Sequence, residues 1–412
     1  MTTGAEPVAA AHPLADPQFR WFFAGRLVSL LGSSMVWVAL TFAILEASGS
    51  AGDLGIVVAS YTVPLALFQL FGGAVADRFS RSAVLVVSHL GSGVAQACTA
   101  TLLLTGNYSL LPVAVVAALN GTLQAMSGPA LIGIVPELVA RPSIQRANSL
   151  LSGTRNAAKV AGPAVAGLLV AGAGGGWAVA ADAVAYFLAA AFMSRLRLPP
   201  PVRAAGATLL RDLREGWGTF RSLTWVWTGS VALAVINFLQ AGIWGVLGPV
   251  IAEDSFGAAA WGLVLSASAA GLLVSSVVMY RVTFVHLLRT GHVLLVLGAV
   301  PLVLLGLDVP VAVLVVGAFL SGAGTGVYGV AYETSLHEHV PNESLARVAS
   351  IDTLGAFVTV PMGQLAVIPV AAAFGDARVA VIGGLLYALV AVAVLAVRPV
   401  RDLRHETGRT GP

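Results

Sequence analysis

Cysteine is nearly absent from this chain: one residue, Cys98, in 412. It can form no internal disulfide, so redox chemistry is not part of the fold. Charge is also scarce, at 10% of residues against 58% hydrophobic, whereas soluble domains carry about a quarter charged residues. With a mean hydropathy of +0.89, the chain belongs in a bilayer. Lysine is reduced to Lys159 alone. No Gly-Lys-Ser loop is present to cradle phosphates, so ATP coupling is not encoded and no enzyme is expected. No cofactor or metal site is expected either. His337 and His339 stand beside Glu333 and Glu338 at a helix end, where a solvated charge cluster accounts for them. The first twenty residues hold Glu6, Asp16 and three prolines with no apolar core, so the first span reads as retained rather than cleaved.

About 20 apolar residues are needed to cross the hydrocarbon core. Twelve windows qualify, from Phe22–Ala47 at the start to Ala377–Val397 at the end. The one long polar segment, Arg195 to Arg221, contains Pro199-Pro200-Pro201 followed by a short amphipathic stretch around Leu213 and Trp217. The expected division is residues 1–194 as a first six-helix half, 195–222 as a linker with a surface helix, and 223–412 as a second half with a tail.

An even number of spans puts both termini on one side. All but four of the 22 Lys and Arg residues fall on that side; Arg378 lies opposite, and Arg26, Arg155 and Lys159 lie within spans. The outer connections instead carry Glu46, Asp53, Glu253, Asp254, Asp308 and Asp376. The positive-inside rule then predicts a multi-pass protein of the cell membrane with cytoplasmic termini. It also explains the pI near 9.3 without a nucleic-acid partner.

Between the second and third windows runs Gly72-Gly73-Ala74-Val75-Ala76-Asp77-Arg78-Phe79-Ser80-Arg81-Ser82. This resembles the signature that the major facilitator superfamily carries at that place, with Ser80 and Ser82 departing from its glycine and second basic residue. Pro136-Glu137-Leu138, Arg146-Ala147-Asn148, Arg347-Val348-Ala349 and Val400-Arg401-Asp402 resemble the exporter branch that includes macrolide-efflux and enterobactin-export proteins. The resemblance implies an all-α membrane fold of two pseudo-symmetric six-helix bundles, with substrate bound between them. It also implies a cytoplasmic latch of Gly73, Asp77, Arg78, Arg81 and Glu137. Weak internal repeats agree: Leu111-Pro112-Val113 matches Val309-Pro310-Val311, and Asp77-Arg78 falls on Tyr280-Arg281.

The fifth window contains Gly162, Pro163 and Gly167, similar to the superfamily's antiporter motif and expected to form a gate at a proline bend. Asn148, Ser152, Arg155, Lys159 and Gly162 recur at steps of three or four, which makes one polar stripe. Charge at mid-membrane is costly unless paired, so Lys159 and Asp182 are expected to form a buried pair or a proton-coupling element, with Asp352 a further proton candidate. Polar and aromatic residues at mid-depth predict a substrate cavity of Trp37, Tyr61, Asn120, Gln124, Arg155, Asn237, Gln240, Trp244, Tyr328 and Gln364. On the fourth window Ala117 stands where proton-coupled relatives carry arginine, one turn before Asn120-Gly121, so coupling must fall to another group.

The expectation is a monomeric secondary transporter that exports a small amphiphilic or largely apolar compound against protons by alternating access. A siderophore exporter, with Arg155 and Lys159 as an anion site, stays open. So does a non-transporting receptor or scaffold.

Overall fold

In the computed structural model the described residues are 13–140, 143–197, 217–282, 284–340 and 342–404; side chains at 69–78 and at several positions in 129–149, 280 and 342–357 lie outside the description. Twelve helices are long and apolar enough to span a bilayer. They are α1 Pro17–Ser48, α2 Ala51–Arg78, α3 Arg81–Leu104, α4 Leu110–Leu138, α5 Ile144–Ala173 and α6 Gly175–Met193, then α7 Thr224–Ser255, α8 Gly257–Arg281, α9 Leu287–Leu305, α10 Val311–His339, α11 Asn342–Phe374 and α12 Asp376–Ala396. Helices are what the composition dictates, because a lipid-facing backbone must satisfy its own hydrogen bonds. α1 starts earlier than the apolar run suggests: Asp16 caps it, accepting from the Gln18 and Phe19 amides at 2.7 and 3.3 Å. Most of the expected linker, residues 198–216, lies outside the described residues; residues 217–222 are helical.

The face that carries the two termini is called near, and the opposite face far. All six far-face connections pass through a residue of positive φ: Gly49, Gly106, Gly174, Gly257, Asp308 and Gly375. Each turn is too short to reverse the chain without a left-handed step, which glycine takes without strain. Asp308, at φ 48°, is the one side chain to take it. At this face the Tyr108 hydroxyl donates to Asp53 Oδ2 at 2.9 Å, tying the α3–α4 turn to the start of α2. Burial and the neighbouring carboxylate push the Tyr108 phenol up, so it stays protonated as the donor.

Helix packing repeats between the halves. α2 packs on α4 as α8 packs on α10, α1 on α5 as α7 on α11, and α3 on α6 as α9 on α12. The seam between halves obeys the same symmetry, since α5 against α8 is the counterpart of α11 against α2. Its tightest approaches lie in the far half. A Cβ on Gly167 would stand 2.6 Å from the Ala258 carbonyl oxygen, one on Gly262 would stand 2.3 Å from that of Pro163, and one on Gly55 would stand 3.0 Å from that of Gln364. Pro163 lies within α5, and beside it the amide of Ala164 donates to Ser266 Oγ of α8 at 3.1 Å. A backbone donor of one half is therefore satisfied by a side chain of the other.

Candidate functional site: a cavity in the first half

A cavity of about 360 Å³ opens among α1, α2, α3, α4 and α6. Two helices supply most of its wall through helical periodicity. Arg26, Leu30, Ser33, Trp37 and Leu40 follow one face of α1, and Val113, Ala117, Asn120, Gln124, Ser127 and Leu131 one face of α4. Tyr61 of α2 and Gln96 of α3 complete it, with Tyr186 of α6. Trp37 and Tyr61 meet edge to face with ring centroids 5.0 Å apart, an aromatic corner at the far end. The near end is polar: Gln124 Nε2 donates to the Tyr186 hydroxyl at 2.5 Å, and Ser127 donates to Gln124 Oε1 at 3.3 Å. Asn120 is buried, and its Oδ1 has no hydrogen-bond partner.

Behind Gln96 lies Asp182, 2% exposed. Its Oδ2 accepts from Gln96 Nε2 at 2.7 Å, while Oδ1 rests on Gly32 of α1, where a Cβ would come within 2.5 Å. This corrects the expected ion pair with Lys159. α6 packs chiefly on α1 and α3 and little on α5, so Asp182 turns away from Lys159. The small face of α5, Ala158, Gly162 and Ala166, is the buried one, which leaves Lys159 and Arg155 exposed. Among the described residues neither cation has a carboxylate within ion-pair distance.

The structure brings together Trp37, Tyr61, Asn120 and Gln124 from the expected cavity; Arg155 is not in the lining but is exposed on α5, close enough to act on cavity-lining Arg26. It does not bring the second-half residues to that wall. Tyr328 is buried within the second half, its ring 4.9 Å from His292 and 5.7 Å from Tyr332. Trp244 packs on Trp261 at 4.8 Å. Gln364 is buried, its backbone carbonyl against Gly55 at the seam. Asn237 and Gln240 are half-buried on α7. An aromatic or amide at mid-depth packs equally well into a helix interface, as Tyr328, Trp244 and Gln364 do. Arg26, Ser33, Gln96, Ser127 and Tyr186 were missed, although the Arg26-to-Leu40 spacing was readable.

Asp352 is buried in the second half, where its Oδ1 accepts from the hydroxyls of Ser230 and, at 2.9 Å, Tyr332. It joins α7, α10 and α11, and among the described residues no cation lies within ion-pair distance of it. Tyr332→Phe is expected to lower stability by about 1–3 kcal/mol, the penalty for an underbonded buried acceptor, read as a lower thermal unfolding midpoint of the purified protein. At the near face Arg81 Nη1 stands 2.5 Å from Glu137 Oε1, linking α3 to α4. The side chains of Gly73, Asp77 and Arg78 lie outside the described residues. The Arg81–Glu137 pair is about a third exposed, so Glu137→Gln should change stability by less than about 1 kcal/mol in the same assay. Gly162 packs on Ser34 of α1, whereas Pro163 and Gly167 form the seam described above.

Twelve spans in two symmetry-related bundles, with a polar and aromatic cavity inside the membrane, define a membrane transporter. The chain belongs to the Major Facilitator Superfamily, whose family model matches residues 22–360. It is 28% identical over 364 residues to the multidrug efflux pump Tap of Mycolicibacterium fortuitum, covering 84% of this chain and 87% of that one. It is 26% identical over 392 residues to the enterobactin exporter EntS of Escherichia coli, covering 91% and 92%. Among solved structures the nucleoside transporter NupG (D323A mutant) aligns with a TM-score of 0.77 at 11% identity, covering 92% of this chain and 99% of that one. A peptide transporter, POT, in complex with sulfate aligns at 0.75 with 12% identity, covering 95% and 96%. Those structures speak to fold alone.

Proposed function

We propose that this protein exports a small amphiphilic or largely apolar compound from the cell in exchange for protons, by alternating access. The observation that carries the reading is Asp182: a carboxyl group within the membrane, bonded to cavity-lining Gln96, with no cation within ion-pair distance among the described residues. A buried carboxylate without a cation is costly, so proton occupancy of Asp182 and the hydrogen bonding of Gln96 at the cavity wall change together. That linkage lets a compound in the cavity and a proton on Asp182 compete. The apolar wall of Val57, Val58, Val113 and Ala117, with Trp37 and Tyr61, suits a flat apolar body. Two relatives, a multidrug efflux pump and an enterobactin exporter, support the outward direction. The basic near face supports cytoplasmic termini in the cell membrane. A single chain holds the whole cavity, which supports a monomer.

The test is proton movement in proteoliposomes of purified protein with an imposed pH gradient and a panel of apolar drugs. Compound-dependent proton flux in the antiport direction is the expected result. Compound movement that ignores the pH gradient would remove the coupling, and no movement of any compound would remove transport of this substrate class.

A further inference from the structure

Arg26 lines the near end of the cavity, and Arg155, exposed on α5, is close enough to act on it as a like charge; among the described residues neither has a carboxylate within ion-pair distance. The other ionisable groups acting on Arg26 are the Tyr186 phenol and, weakly, His89. His89 is already engaged: its Nδ1 bonds the Leu85 carbonyl at 2.7 Å and its Nε2 lies 3.3 Å from Ser29 Oγ. Asp182, behind the cavity wall, is taken up by Gln96. Like charges gathered inside a membrane protein are unfavourable, and a site that keeps them there is built to receive the opposite charge.

The cavity also has a direction. From Arg26 to Trp37 is eleven residues of α1, about 16 Å at the helical rise, with cations at one end and the Trp37–Tyr61 corner at the other. Between them Asn120 presents its unpartnered Oδ1. We propose that the transported compound is an elongated amphiphile with an anionic head, carboxylate, sulfonate or acidic phenol, held by Arg26 and Arg155, with its apolar or aromatic body against Trp37 and Tyr61. This rests on the reading of the cavity as the transport site. Guanidinium suits such a head because its fork can donate two parallel hydrogen bonds to an oxyanion.

The test is calorimetric binding to the full chain in lipid nanodiscs, using biphenyl-4-carboxylate and its neutral carboxamide as probes. The carboxylate should bind at least about tenfold more tightly than the amide, and added salt should weaken it but not the amide. Arg26→Gln and Arg155→Gln should each weaken the carboxylate at least about tenfold and the amide by much less, so that most of that preference is lost; Arg26→Lys should restore part of it. Equal affinity for the two probes, binding of neither, or equal loss of both in Arg26→Gln overturns the proposal. Proton-coupled movement of the amide without preference for the carboxylate sinks the anionic head alone. Tight carboxylate binding without compound-dependent proton flux spares the head group and sinks proton-coupled export.

Discussion

Proteoliposomes carrying Asp182→Asn are expected to show compound-driven proton movement no greater than protein-free vesicles, while still binding the compound. Asparagine has the shape of aspartate and keeps an oxygen for the Gln96 Nε2 hydrogen bond. It also fits against Gly32, which leaves no room for a larger group. The substitution therefore preserves packing and removes only the capacity to take up a proton. Lys159→Ala should leave proton movement within about twofold of the native chain, a difference of less than 0.5 kcal/mol in barrier, because Lys159 is exposed on α5 and has no carboxylate beside it among the described residues. Proton flux that survives in Asp182→Asn would move the coupling role to Asp352 or elsewhere. Loss of flux in Lys159→Ala would show that the two residues meet in another state of the cycle.

The second large effect is expected at the seam. Gly262→Val puts a branched side chain where a bare Cβ would already stand 2.3 Å from the Pro163 carbonyl oxygen. Backbone on both sides cannot rotate away, so α5 and α8 must part and the far half of the seam opens. The readout is a cysteine placed at Ala166, fully buried on α5, in a Cys98→Ser background. A membrane-impermeant maleimide applied at the far face should label Ala166→Cys at least about tenfold faster in Gly262→Val, equivalent to about 1.4 kcal/mol in the open population. Transport should fall to background. Unchanged labelling together with normal transport would mean that the seam adapts and the glycine contacts do not gate.

The twelve spans were legible because one property, apolar length, decides them. Half of the cavity was legible for a similar reason: Trp37, Asn120 and Gln124 sit at helical spacing on strongly apolar helices. The partner of Asp182 was not. Gln96 lies 86 residues away, and its choice over Lys159 depends on how α5 and α6 are rotated, which is set by which small-residue face finds a neighbour. Tyr328, Trp244 and Gln364 misled because the same residue types serve helix interfaces and cavities. One readable signal went unused. The shift that carries Arg78 onto Arg281 also carries His89 onto His292, and a closely similar one carries Tyr186 onto Tyr387. Both histidines prove buried and bond by Nδ1 to the carbonyl four residues earlier.

The far half of the seam brings glycine faces against carbonyl oxygens, and the named contacts across it include no ion pair. Little has to be rehydrated or re-rotated when such a surface separates, and no charge pair is broken. The balance between open and closed forms is therefore governed by dispersion and by the lateral pressure of the surrounding lipid. Bilayer thickness and acyl-chain order should tune the turnover of this protein, whereas ionic strength at the far face should leave this seam itself unmoved.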